Sequence, residues 1–202
     1  MGALRCVSWC LVDVAGGRAT GNRGVPYCYH GTGLSDPRAS RRKEMTAQDV
    51  LHRLEARGES LAVAESLTGG ALASAIVEVP GASKVFRGAI VAYQLPVKTS
   101  LLNVPAAMLE EHGAVSAPVA EAMATGAKEA LEATWSVATT GVAGPDPDPQ
   151  TGLEPGTVVI SVAGPGSVVV TEKVVFEGNR AEIRAQSVEK ALWLLNSALE
   201  RE

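Results

Sequence analysis

The stretch Ala64-Glu65-Ser66-Leu67-Thr68-Gly69-Gly70 sets two hydroxyls and two glycines between a short apolar segment, Ser60 to Ala64, and a run of small and branched apolar residues, Ala71 to Val79. A strand that ends here and a helix that begins here would let backbone approach a ligand closely, with amides aimed at an anion. A simpler reading is that Ser66 or Thr68 caps the helix. Other residues with chemical potential follow at distance. Tyr93 precedes Lys98 by five residues, Thr139 and Thr140 end an apolar run, and Arg180 follows Glu177-Gly178-Asn179. Lys98 can enter a cleft or sit on the surface, as most lysines do. Arg180 can hold a phosphate through its guanidinium, or be solvated in the first turn of a helix.

The elements that must position these residues are readable from periodicity. Thr46 with Asp49 forms a capping-box pattern, Val50, Leu51 and Leu54 make an apolar stripe, and Arg57-Gly58 closes a first helix. After the strand and helix around the heptapeptide, Pro80-Gly81 marks a turn and Phe86 to Tyr93 reads as a second strand. Short helices are expected from Val97 to Leu102 and from Pro105 to about His112-Gly113, then a longer one capped by Ser116 with Val119, Met123, Ala127 and Leu131 on one face. Trp135 to Thr140 is a third strand. Gly156 to Ala163 and Ser167 to Phe176, joined by Gly164-Pro165-Gly166, form a hairpin. A last helix starts near Asn179, burying Ile183, Val188, Leu192, Leu195 and Leu199 and leaving Glu182, Arg184 and Glu189 solvated. The expected fold is α/β, a three-layer helix-sheet-helix domain with a mixed sheet and a C-terminal helix. Ligands in such folds gather outside strand ends, so Ser66, Thr68, Tyr93, Thr139 and Thr140 are expected to converge.

Composition narrows the functional classes. The 202 residues are 46% hydrophobic and 20% charged, within the ordinary globular range. A formal net charge of −4 gives no basic footprint for nucleic acid. Residues 1–44 hold seven Lys+Arg against three Asp+Glu, lack periodicity and read as a disordered extension, leaving a domain over 45–202. Cys6, Cys10 and Cys28 all lie in that leader, where with His30 they lack the paired spacing of common zinc modules, so no metal is expected. An odd cysteine count without a framework fits a reducing cytoplasm. No apolar run is long enough to span a bilayer.

The ordered set of motifs resembles the C-terminal domain of the CinA competence/damage-inducible proteins, a family that also includes stand-alone nicotinamide-nucleotide amidases. The resemblance covers about residues 46–199. It runs through the heptapeptide, Tyr93 with Lys98, His112-Gly113-Ala114-Val115-Ser116, Thr140-Gly141-Val142-Ala143-Gly144-Pro145-Asp146, Pro155-Gly156-Thr157-Val158 and Phe176-Glu177-Gly178-Asn179-Arg180. It implies deamidation of nicotinamide mononucleotide to nicotinate mononucleotide and ammonia, in pyridine-nucleotide salvage and without a cofactor. Ser66 would be the nucleophile, Lys98 its base, and Thr140 an assisting group. Tyr93 and Arg180 would be ligand-site residues, joined by Thr68, Gly69 and Gly70 at the close approach. A homo-oligomer is compatible with it.

A serine is a weak nucleophile at neutral pH and needs a base beside it. Lys98 can serve only if neutral, and lowering its pKa from about 10.4 to about 7 requires roughly 4 to 5 kcal/mol, which burial can supply. Oxyanion donors are expected from the amides around Gly69 and Gly70 or from the Thr140 hydroxyl. This chain departs from the family pattern at Leu67, which stands where a cysteine is common, and at Gln94-Leu95-Pro96-Val97, which replaces a more polar segment. The proline-rich loop after Gly144 reads as a lid or as a passive connection. The competing classes are a catalytically silent nucleotide-binding module acting through a partner and an interaction domain with no small ligand.

Overall fold

The computed structural model describes residues 46–201. The leader, its cysteines and the disorder expected of it lie outside these residues. The order is α1 (Ala47–Arg57), β1 (Leu61–Glu65), α2 (Ala71–Val77), a 3-10 turn (Ala82–Lys84), β2 (Phe86–Val91), α3 (Leu95–Leu102), α4 (Ala106–His112), α5 (Ala117–Ala130), β3 (Trp135–Gly141), β4 (Thr157–Ala163), β5 (Val169–Val175) and α6 (Arg180–Leu199). The sheet runs β2-β1-β3-β4-β5. The first three strands are parallel and the last two antiparallel, which is the mixed sheet expected.

Strand alternation divides the core by side-chain size. Leu61, Val63, Val137 and Ile160 point to the layer of α1, α2 and α6, where Leu54, Ile76 and Leu195 meet them. The other face presents Ala62, Ala64 and Ala138 to α3, α4 and α5. Small side chains there let helices approach closely. At Gly126 in α5 an added Cβ would lie 1.9 Å from the Leu102 carbonyl oxygen, so only glycine lets α3 and α5 pack this tightly. That packing fixes α3, and with it Lys98.

The expected capping box of Thr46 with Asp49 forms, and a second one, not expected, joins Asn179 to Glu182 at the start of α6. Ser116 sits at the N-cap position of α5, yet its hydroxyl donates back to the Gly113 carbonyl at 3.0 Å instead of capping. β2 stops at Val91, two residues short of the expected end. The Ala92 amide still bonds the Glu65 carbonyl at 2.8 Å, after which the chain turns into α3. Among the described residues no helix is long and apolar enough to cross a membrane.

Candidate functional site

The carboxyl ends of the parallel strands β1 and β3 lie side by side, with Glu65 paired to Thr139. A cavity of about 340 Å³ opens there. Ser66 and Leu67 line it from the end of β1, Thr140 and Gly141 from β3, Lys98 from α3, and Arg180 from the start of α6. Tyr93 and Leu95 form one side. Asp148, Pro149 and Gln150 close another, so the proline-rich loop is a wall of the cavity. The Asp148 carboxylate braces that loop by accepting from the Gln150 and Thr151 amides, and the Gln150 carboxamide bonds the Leu109 carbonyl at 3.2 Å.

Lys98 is almost fully buried, 1% exposed. Its Nζ has one hydrogen-bond partner among the described residues, the thioether sulfur of Met123 at 3.4 Å. A thioether is a weak acceptor, and an ammonium with three donors would be poorly satisfied by it. Burial accordingly pulls the Lys98 pKa from 10.5 down to about 8. The α3–α5 contact set by Gly126 brings the amine to this apolar place. The expected desolvated lysine is therefore present, in the same cavity as Ser66.

The turn after β1 settles who caps α2. Glu65 is fully buried, and its carboxylate accepts from the amides of Gly70 at 2.8 Å, Leu72 at 3.2 Å and Ala73 at 2.8 Å. The anion at this helix end is the protein's own side chain, so neither Ser66 nor Thr68 is needed there. The amide count continues through the turn. Ser66 N–H donates to the Thr139 carbonyl at 2.9 Å, Gly69 N–H to the Ser66 carbonyl at 3.1 Å, and Ala71 N–H to the Thr68 carbonyl at 3.2 Å. Leu67 and Thr68 are left with amides that have no acceptor among the described residues. The amides expected to serve an oxyanion, those of Gly69 and Gly70, are already engaged.

The hydroxyls separate in the same way. Thr68 is fully buried and bonded to Thr139 at 2.7 Å, and neither lines the cavity. Thr140, one residue along β3, faces the opposite side and donates its hydroxyl proton to the Ala114 carbonyl at 2.8 Å. Its oxygen can accept, but it is not a free donor for an oxyanion. Ser66 makes no side-chain hydrogen bond to the described residues and keeps its hydroxyl for the cavity. Gly69 and Gly70, with φ of +58° and +96°, give the turn its left-handed bends without lining the cavity.

Arg180 bonds the Gly144 carbonyl at 2.9 Å through Nη1 and the Tyr93 hydroxyl at 3.1 Å through Nη2. Three of its five N–H donors remain for a ligand. Sequence reasoning passed over two further residues. Arg184, expected to be solvated, reaches back across the turn, with Nε 3.0 Å from the Leu67 carbonyl and Nη2 2.6 Å from the Thr68 carbonyl. Its signal was its place four residues after Arg180 on one helix face. Glu65 was the other, an acid immediately before a turn whose helix has only glycine at its N-cap.

The fold and cavity define a three-layer α/β domain with a serine, a desolvated lysine and a cationic rim at the strand ends. The chain belongs to the CinA family: the family model for the CinA C-terminal domain matches residues 43–199. A CinA-like protein of Anaeromyxobacter sp. is 47% identical over 161 residues, covering 78% of this chain and 38% of that protein. One from Frankia casuarinae is 48% identical over 150 residues, covering 74% and 34%. The chain thus spans less than two fifths of the length of these curated relatives. Among solved structures, a CinA superfamily protein from Klebsiella pneumoniae aligns with a TM-score of 0.74 at 31% identity, covering 77% of this chain and 96% of that one. One from Escherichia coli gives 0.71 at 33%, covering 76% and 91%.

Proposed function

We propose that the domain is an amidohydrolase that converts nicotinamide mononucleotide to nicotinate mononucleotide and ammonia. The observation that carries this reading is the buried Lys98, held near a pKa of about 8 in the cavity that Ser66 lines. Ser66 Oγ adds to the carboxamide carbon while its proton passes to Lys98 Nζ. The tetrahedral oxyanion collapses, Lys98 returns the proton to the leaving nitrogen, and ammonia departs. A water, deprotonated in turn by Lys98, adds to the acyl-serine and frees the carboxylate product. Arg180, with Tyr93 beside it, takes the phosphate at the rim. Thr140 orients the acyl group's polar edge through the lone pairs that its bond to Ala114 leaves free.

Stoichiometric ammonia release from nicotinamide mononucleotide, lost in Ser66→Ala with the fold retained, tests the reading. Leu95 on the cavity wall, within the segment that lacks the family's polar residues, favours a second reading, a nucleotide-binding module without turnover. Thermal stabilisation by the nucleotide with no ammonia produced would select it.

A further inference from the structure

The turn after Ser66 carries two unengaged amides and a cation that does not touch the cavity. Arg184 forms no ion pair among the described residues and does not line the cavity, yet it is the anchor of this turn. Its Nε holds the Leu67 carbonyl at 3.0 Å, and its Nη2 the Thr68 carbonyl at 2.6 Å. A trans peptide points its N–H opposite its C=O. Fixing the Leu67 carbonyl toward Arg184 therefore fixes the Thr68 N–H away from it. Fixing the Thr68 carbonyl likewise orients the Gly69 N–H, which closes the turn onto the Ser66 carbonyl at 3.1 Å. That bond in turn holds the Ser66 carbonyl, so the Leu67 N–H is aimed as well.

Resting on the amidase reading above, we infer that Arg184 is a positioning residue for the oxyanion site, whose donor from this turn is the Leu67 amide. Three observations point the same way. The Leu67 amide has no acceptor among the described residues, and Leu67, unlike the fully buried Thr68, lines the cavity directly after Ser66. The donors expected from the sequence are committed, Gly69 to the Ser66 carbonyl, Gly70 to Glu65 and the Thr140 hydroxyl to Ala114. A carbonyl that accepts from a cation also polarises its own peptide unit, making the N–H at the other end a stronger donor. Arg184 thus strengthens the Gly69 bond to the Ser66 carbonyl, and through it sets the direction of the Leu67 donor. It remains outside the reacting atoms.

Removing one oxyanion donor typically lowers kcat by about 10²- to 10³-fold. Loosening this donor through its anchor should lower it by roughly 10- to 100-fold while KM changes little. The experiment compares wild type, Arg184→Met and Arg184→Lys by ammonia release, by thermal unfolding, and by the rate at which a fluorophosphonate probe modifies Ser66. The inference expects Arg184→Met to lose kcat and probe reactivity together with KM held and the protein folded, methylguanidinium to restore part of both, and Arg184→Lys to fall between. If folded Arg184→Met keeps wild-type kcat and labelling, the inference is overturned while the amidase reading stands. A rise in KM with kcat unchanged also overturns it, by making Arg184 a substrate-binding group. Wild type that labels at Ser66 but releases no ammonia rejects the amidase reading alone, and the Arg184→Met labelling rate then decides the inference. Wild type that does neither overturns both.

Discussion

The two ends of the central sheet each carry a cavity of similar size, and their difference lies in how charge is held. At the amino-terminal end of the strands, about 380 Å³ is lined by Glu55, Glu59, Lys84, Arg87 and Glu132 among others. There Lys84 meets Glu55 at 2.6 Å with both side chains largely in water, and Glu59 accepts from the Trp135 indole at 2.8 Å. At the carboxyl-terminal end Lys98 is buried with a thioether for company. A paired surface ion costs little and does little. A desolvated amine is expensive, and such groups cluster at functional sites.

The comparison is broken most severely at the nucleophile. Ser66→Ala should lower turnover by at least about 10³-fold in an ammonia assay, since a nucleophile has no substitute in the same turn. Thr68 offers none, being locked to Thr139. Lys98→Met should cost about 10²- to 10⁴-fold in kcat. In wild type kcat/KM should rise with pH through an apparent value of about 8, and this limb should vanish in the variant.

The same substitution should stabilise the fold. Because the Lys98 pKa is lower folded than unfolded, the native protein binds fewer protons between about 8 and 10.5, and stability rises with pH across that window. Below pH 8 the buried cation costs about 3 kcal/mol, as an order of magnitude. Denaturant unfolding at pH 7 should thus find Lys98→Met more stable, with the advantage shrinking toward pH 10.5. Arg180→Gln should raise KM roughly 10-fold with kcat largely kept, the loss of one charge-assisted contact. Lys84→Ala, at the opposite end, should leave kcat/KM within about twofold and stability within about 1 kcal/mol.

The scaffold was legible because its signals are local. Thr46 with Asp49 states a helix start within four residues, and the Gly164-Pro165-Gly166 turn states the hairpin. The cavity's hydroxyl, amine and rim guanidinium were legible through motifs at the ends of those elements. What escaped was settled across the fold. Arg184 meets Leu67 and Thr68 from 117 and 116 residues away, and its place one turn after Arg180 does not by itself name those partners. Ser116 looked like a cap, but the Gly113 carbonyl was the nearer claim on its hydroxyl. Glu65 reads as a polar strand end until the turn folds over it. Thr139 and Thr140 illustrate the period of two: adjacent in sequence, they serve opposite faces, and only one reaches the cavity.

Glu65 has a consequence for competition. Free phosphate and sulfate accompany nucleotides in any cell or buffer, and a helix start with unclaimed amides beside a nucleophile would collect them as inhibitors. Here that seat is filled from within by a tethered carboxylate that never dissociates. An anion entering the cavity finds its cation at Arg180 on the rim.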